Sequence, residues 1–192
     1  ATVGQLNTEE IGEFLGEFNN DETIMVVYDT GEYELTTYDL TNRYDAKHIV
    51  LIEKYLPSKI ISTVYYDGQN KRYYVKRFQI ETTSLHKKFL FITEHSASRL
   101  VVTSSAKDPR VNVNYRTAAR GGNKLDVTYS LVALIEVKGW KSLGNRVPHE
   151  YINSIELLEQ VKEEKQKEEK EASKDSLKTV SYTHLRAHET RH

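Results

Sequence analysis

From about Asp21 to Val147 this chain never holds apolar residues at helical spacing long enough to make a helix. It runs instead as short apolar and tyrosine-rich stretches cut by turns. Thr23–Asp29 (TIMVVYD) closes on Asp29-Thr30-Gly31 and is answered by Glu32–Tyr38. His48–Lys54 follows, and Ile60–Tyr66 (IISTVYY) ends at Asp67-Gly68, a pair of residues that joins antiparallel strands. Lys71–Ile80, Phe89–Thr93, Leu100–Thr103, Val111–Tyr115 and Ser130–Lys138 continue the series, with another turn at Gly121-Gly122. The 13 Tyr, against 5 Phe and 1 Trp, suit pleated, half-buried surfaces. Strands this short and this evenly spaced predict an all-β domain of sandwich, barrel or propeller-like type.

A weak internal repeat favours blades. Residues 24–40 and 62–80 share one order of apolar strand, Asp/Gly turn and tyrosine-rich return strand, at an offset of about 38. Residues 100–115 repeat the outline more loosely at a similar offset. Beyond the repeats, Tyr151–Leu177 opens on Ile152, Ile155, Leu158 and Val161, then becomes a Glu/Lys tract. It reads as a charged tail, helical through Glu–Lys pairs or disordered. The last residues, VSYTHLRAHETRH (180–192), break with everything before them and resemble the translated read-through of a sequencing adapter. They are expected to make no stable contact with the domain, and the even spacing of His184, His188 and His192 reads as accidental. The expected organisation is a lead-in from a preceding blade (1–20), blades (21–150), a Glu/Lys tail (151–179) and the adapter-like end (180–192).

Charge is divided along the chain. Residues 1–60 carry 4 Lys/Arg against 12 Asp/Glu, and residues 61–150 carry 15 against 7. A basic half beside an acidic half fits a polyanionic partner, or a mixed-charge surface with no partner. The chain has no Cys, which excludes disulfides, thiol nucleophiles and cysteine zinc sites, and a reducing cytoplasm is the simple setting. No apolar run nears the roughly 20 residues that cross a bilayer, so no membrane partner is expected. The chain does not begin with Met, which fits a piece of a longer protein. No phosphate-binding glycine loop, nucleophile elbow or histidine–acid cluster at metal spacing occurs.

Several pieces, in order, resemble the C-terminal region of the A subunit of bacterial type IIA topoisomerases, DNA gyrase and topoisomerase IV. They are LGEF (15–18), YELTTYDLTNRY (33–44), YYVKRFQIET (73–82) and KGWKSLGNRV (138–147), within a match of roughly residues 10–160. The resemblance implies a β-pinwheel, a propeller-like disc that binds and bends duplex DNA around its rim, of which this chain would hold about three blades. It implies a part of the enzyme with no catalysis and no cofactor of its own. ATP and magnesium would belong to the partner B subunit, reached through the A subunit's N-terminal part, in the bacterial cytoplasm at the nucleoid. RTAARGGNK (116–124) is only loosely like the basic glycine box of gyrase, so topoisomerase IV is the better fit. The alternative is a propeller-like protein-interaction module using the acidic residues 1–60.

The duplex-contact candidates are Lys71, Arg72, Lys76, Arg77, Lys87 and Lys88 in one unit, and Arg116, Arg120, Lys124, Lys138, Lys141 and Arg146 in the next. Arg116, Arg120 and Lys124 flank the Gly121-Gly122 turn, where backbone can approach a phosphate closely. Lys76 and Arg77 must point to opposite faces of a strand, and an ion pair with a neighbouring blade's acids is the competing role. The tyrosines and Trp140 read as packing residues rather than base-stacking platforms. Arg43-Tyr44 and Arg72-Tyr73 match the Arg-Tyr order of a topoisomerase nucleophile, but sit in strand–turn sequence without its helices.

Overall fold

The structure, a computed structural model, describes residues 2–158 and 178–186. Two strands come first, β1 (Thr2–Asn7) and β2 (Glu13–Phe18). The next unit is β3 (Ile24–Tyr28), β4 (Glu32–Thr36), β5 (Arg43–Asp45) and β6 (Ile49–Lys54). Another follows as β7 (Ile60–Asp67), β8 (Arg72–Gln79), β9 (Phe89–Leu90) and β10 (Arg99–Ser104). The last is β11 (Arg110–Arg116), β12 (Lys124–Ser130), one helical turn α1 (Leu131–Leu134), β13 (Asn145–Arg146) and β14 (Tyr151–Leu157). Strand β15 (Lys178–Arg186) ends the described chain.

The named strands pair antiparallel in four open sheets, which agrees with the all-β reading, and one isolated bridge, Leu35 to Leu85, is parallel. The first sheet runs β2-β15-β1-β5, the second β6-β3-β4-β9, the third β10-β7-β8-β13 and the fourth β12-β11-β14. One rule generates the last three. The first two strands of a unit form a hairpin, the third leaves to edge the preceding sheet, and the fourth returns to pair the first. Thus β5, β9 and β13 edge the first, second and third sheets, against β1, β4 and β8. These lent strands are two or three residues long, so the edges they form are short.

The sheets stack through three hydrophobic clusters. Along β3, Ile24, Val26 and Tyr28 pack toward the first sheet, while Met25 and Val27 pack toward the third. That explains why β3 is buried at all five positions and reads as an unbroken apolar run. In β7, Ile61 and Tyr65 join the cluster against the second sheet, and Val64 joins the one against the fourth. Each buried side chain of this kind contributes roughly 1.5–3 kcal/mol.

Four expectations need correction. The third unit does not repeat at 38: β3 and β7 start at residues 24 and 60, but β11 starts at 110. Residues 100–104 are the returning strand of the unit before. Ser130–Lys138 is not a strand; β12 ends at Ser130, Leu131 drops into the core from the helical turn, and Ile135 does so from the residue just after it. Tyr151–Leu157 is not the start of a tail. It is β14, paired with β11, and Ile155 is buried between the third and fourth sheets. The Glu/Lys tract 159–177 lies outside the described residues. Last, 178–186 is not separate from the domain. Strand β15 sits between β1 and β2, Val180 and Tyr182 enter the first core, and Tyr182 packs edge-on against Tyr44. Val180 and Tyr182 stand two residues apart, which puts both side chains on the core face of the strand.

Candidate nucleic-acid interface

The hairpin joining β7 to β8 turns over four residues, Gly68–Lys71, rather than the two expected at Asp67-Gly68. Asp67 organises it by accepting the backbone N–H of Gln69 and Asn70 and the hydroxyl of Thr93. Burial raises the Asp67 pKa, but these hydrogen bonds outweigh it and leave the carboxyl below its ordinary value. Lys71 takes the left-handed conformation, with φ of 54°. Its side chain is exposed, and Arg72 beside it is half-buried.

The β11–β12 turn presents Arg120 and Lys124 to solvent, as the sequence suggests, while Arg116 lies half-buried at the end of β11. Arg116 pairs across the sheet with Lys124 on one side and Tyr151 on the other. Between the third and fourth sheets at this end lies a cavity of about 380 Å³, whose lining includes Tyr66, Arg72, Tyr73, Arg99, Arg116 and His149. Lys71 and Glu150 also reach it.

Arg99 is the residue that charge counting missed. It starts β10 directly across from Tyr66. Its guanidinium lies 4.6 Å from the Tyr66 ring centre and 5.8 Å from that of Tyr73, and Nη2 donates to the Tyr73 hydroxyl at 3.1 Å. A basic residue opposite a strand-end tyrosine was the available signal. Arg116 Nε is buried and finds no hydrogen-bond partner among the described residues. A buried donor left unmet costs roughly 1–3 kcal/mol. Arg72 Nη2 lies 3.4 Å from Glu150 Oε1. His149 stacks on Tyr115 with ring centres 3.7 Å apart and meets the Tyr129 hydroxyl through Nε2 at 2.7 Å.

Lys76 and Arg77 do not belong to a surface site. They do point to opposite faces of β8, but each face is covered by protein. Lys76 is 2 % exposed, and its Nζ donates to the carbonyls of Phe91 and Trp140. Arg77 is 8 % exposed, with Nε on the Ser62 hydroxyl and Nη1 on the Ile135 carbonyl. Their hydrogen-bond partners are carbonyls and a hydroxyl, and Arg77 also helps to lower the Asp108 pKa through its charge. Burial pushes the Lys76 ammonium down to about 8. No phosphate reaches either group; they pin residues 135–140 to the third sheet.

The remaining candidates are exposed but dispersed. Lys87 lies over the Phe89 ring and Lys88 over the Tyr28 ring, both beside the second sheet. Lys138, Lys141 and Arg146 follow the crossing segment that ends on edge strand β13, with Lys141 over Trp140. Trp140 itself packs edge-on against Tyr33 and Phe89 in the second core, a packing role. Of the two Arg-Tyr pairs, Tyr44 is buried with its hydroxyl 2.7 Å from that of Thr36, and burial raises its pKa. Tyr73 faces Arg99. No cluster of three metal-ligating side chains occurs among the described residues, and no described helix is long and apolar enough to cross a membrane.

The arrangement concentrates six cations, Lys71, Arg72, Arg99, Arg116, Arg120 and Lys124, at the turn ends of the third and fourth sheets. Guanidinium forks and mobile ammonium groups at this spacing suit phosphate oxygens. The corresponding end of the second sheet carries Asp29 and Glu32, with His48 Nδ1 on Asp29 at 2.9 Å.

No match was found among curated proteins or among solved structures. The family model described as "Topoisomerase C-terminal domain, Bacteroidota" matches residues 5–160. That span takes in all of the second, third and fourth sheets together with their cationic turn ends. The chain belongs to this family of topoisomerase C-terminal domains.

Proposed function

We propose that this chain is the duplex-binding part of the A subunit of a type IIA topoisomerase, topoisomerase IV rather than gyrase, and that its stacked sheets are blades of a β-pinwheel. The observation that carries the reading is the gathering of Lys71, Arg72, Arg99, Arg116, Arg120 and Lys124 at adjacent turn ends of two sheets. Phosphates along a duplex are gripped without regard to sequence by such a track, with release of counterions. The exposed Lys138, Lys141 and Arg146 would extend it across the third sheet. The domain bends and delivers DNA and cuts none. ATP, magnesium and the cleaving tyrosine belong elsewhere in the enzyme, which would join the B subunit through its N-terminal part and act in the cytoplasm at the nucleoid.

The test is retention of two unrelated duplexes at low salt, together with a plasmid assay in ATP and magnesium. Equal retention of both, lost at moderate salt, with no cleavage or relaxation, is the expected result. A covalent adduct through Tyr44 or Tyr73 would overturn the non-catalytic reading. Failure to retain any duplex would favour a propeller-like protein-interaction module using the acidic residues 1–60.

A further inference from the structure

We infer that the cavity between the third and fourth sheets, which shares Lys71, Arg72, Arg99 and Arg116 with the proposed duplex track, is also a binding site for a nucleotide phosphate. Four cations, Lys71, Arg72, Arg99 and Arg116, line it against one carboxylate, Glu150. One of the cations, Arg99, is set in place before any ligand arrives. Arg99 lies over the Tyr66 ring beside Tyr73 and donates to the Tyr73 hydroxyl, so its guanidinium loses little freedom on binding. Arg116 lines the cavity as a second guanidinium, and its buried Nε–H has no acceptor among the described residues, so the protein does not already satisfy this cation in full.

Size points to a ligand larger than phosphate alone. At about 380 Å³ the cavity exceeds what one phosphate needs and falls in the range of small-molecule sites, roughly 300–1,000 Å³. Room is left for a sugar and base, with Tyr151 and His149 in the wall to pack against them. A backbone phosphate within a duplex is held at the surface of the helix. The group that enters must be a free nucleotide or the phosphorylated end of a strand.

The experiment follows the arginine Nε–Hε signals of the whole chain by ¹H–¹⁵N NMR at constant ionic strength. Adenosine monophosphate should shift the Arg116 and Arg99 signals saturably, and inorganic phosphate should do so more weakly. R116Q should weaken nucleotide binding at least about tenfold, read on the Arg99 signal, since a charged hydrogen bond is lost. R99K keeps the charge but loses the planar stack and should weaken it similarly, which keeps the test intact if R116Q does not fold. A blunt duplex with 5′-phosphates that competes with the mononucleotide, where the 5′-hydroxyl duplex does not, assigns the strand end. No competition by either assigns the free nucleotide. Absence of a saturable shift at millimolar nucleotide, or unchanged affinity in both variants, overturns the site. Loss of duplex retention with nucleotide binding intact would sink the duplex reading and leave this one standing.

Discussion

The two seams that flank the third sheet are built from the same strands and filled differently. Toward the second sheet, Tyr33, Phe78, Phe89, Phe91 and Trp140 interlock, with neighbouring ring centres 5.1–6.1 Å apart. Toward the fourth, the seam is aliphatic, with Val64, Val75, Val111, Val113, Leu131 and Val147. At its turn end it gives way to the arginine-lined cavity. The aromatic seam is closed and anchors the stack, while the aliphatic one leaves space that charged side chains reach. One scaffold thus yields a structural joint on one side and a candidate binding surface on the other.

The largest effect should come from the aromatic seam. Phe78→Ala should cost about 3–5 kcal/mol in urea unfolding, and Val113→Ala on the other seam about half as much. Equal losses would break the comparison. Next, Gly31 has φ of +81°, and an added Cβ would lie 2.5 Å from Ile92 side-chain atoms. Gly121 has φ of +68° with nothing within 4 Å. Gly121→Ala should cost only the left-handed strain, about 1–2 kcal/mol. Gly31→Ala adds roughly 1–3 kcal/mol of overpacking. Matching thermal midpoints for the two variants would show that Ile92 yields and that the second sheet's turn is loosely packed.

Lys76 gives a pH signature. Its folded pKa of about 8 lies below the ordinary 10.5, so between these values the unfolded chain binds more protons. Stability should therefore rise from pH 8 toward pH 10, by roughly 2 kcal/mol. Above pH 10 it should fall, because burial raises the pKa of Tyr28, Tyr33 and Tyr65 and their neutral forms are what the fold holds. K76M should abolish the rise and keep the fall. A rise that survives in K76M would assign it to another group.

The strands and hairpins were legible because alternation and Asp/Gly turns are local signals. The exchange of β5, β9 and β13 was not, since two or three residues carry no period and their partners lie a sheet away. Lys76 and Arg77 read as surface cations because a strand exposes one face in most two-layer folds. Here both faces of β8 are covered, and backbone carbonyls from residues 91, 135 and 140 replace water. The exposure of Arg120 and Lys124 was legible from the turn that displays them. Arg99 was missed because its place depends on Tyr66 across the sheet, which pairing reveals and spacing does not.

The most direct test of the cationic turn ends is the salt dependence of duplex binding when Lys71, Arg120 and Lys124 are replaced together by Ala. All three are exposed, and none is needed for the core. Each phosphate they neutralise should contribute about 0.9 to the log–log slope, so the slope should fall by roughly 2–3, equally on unrelated duplexes. A slope unchanged from the parent chain would contradict the proposed duplex track and remove these turns from the DNA surface.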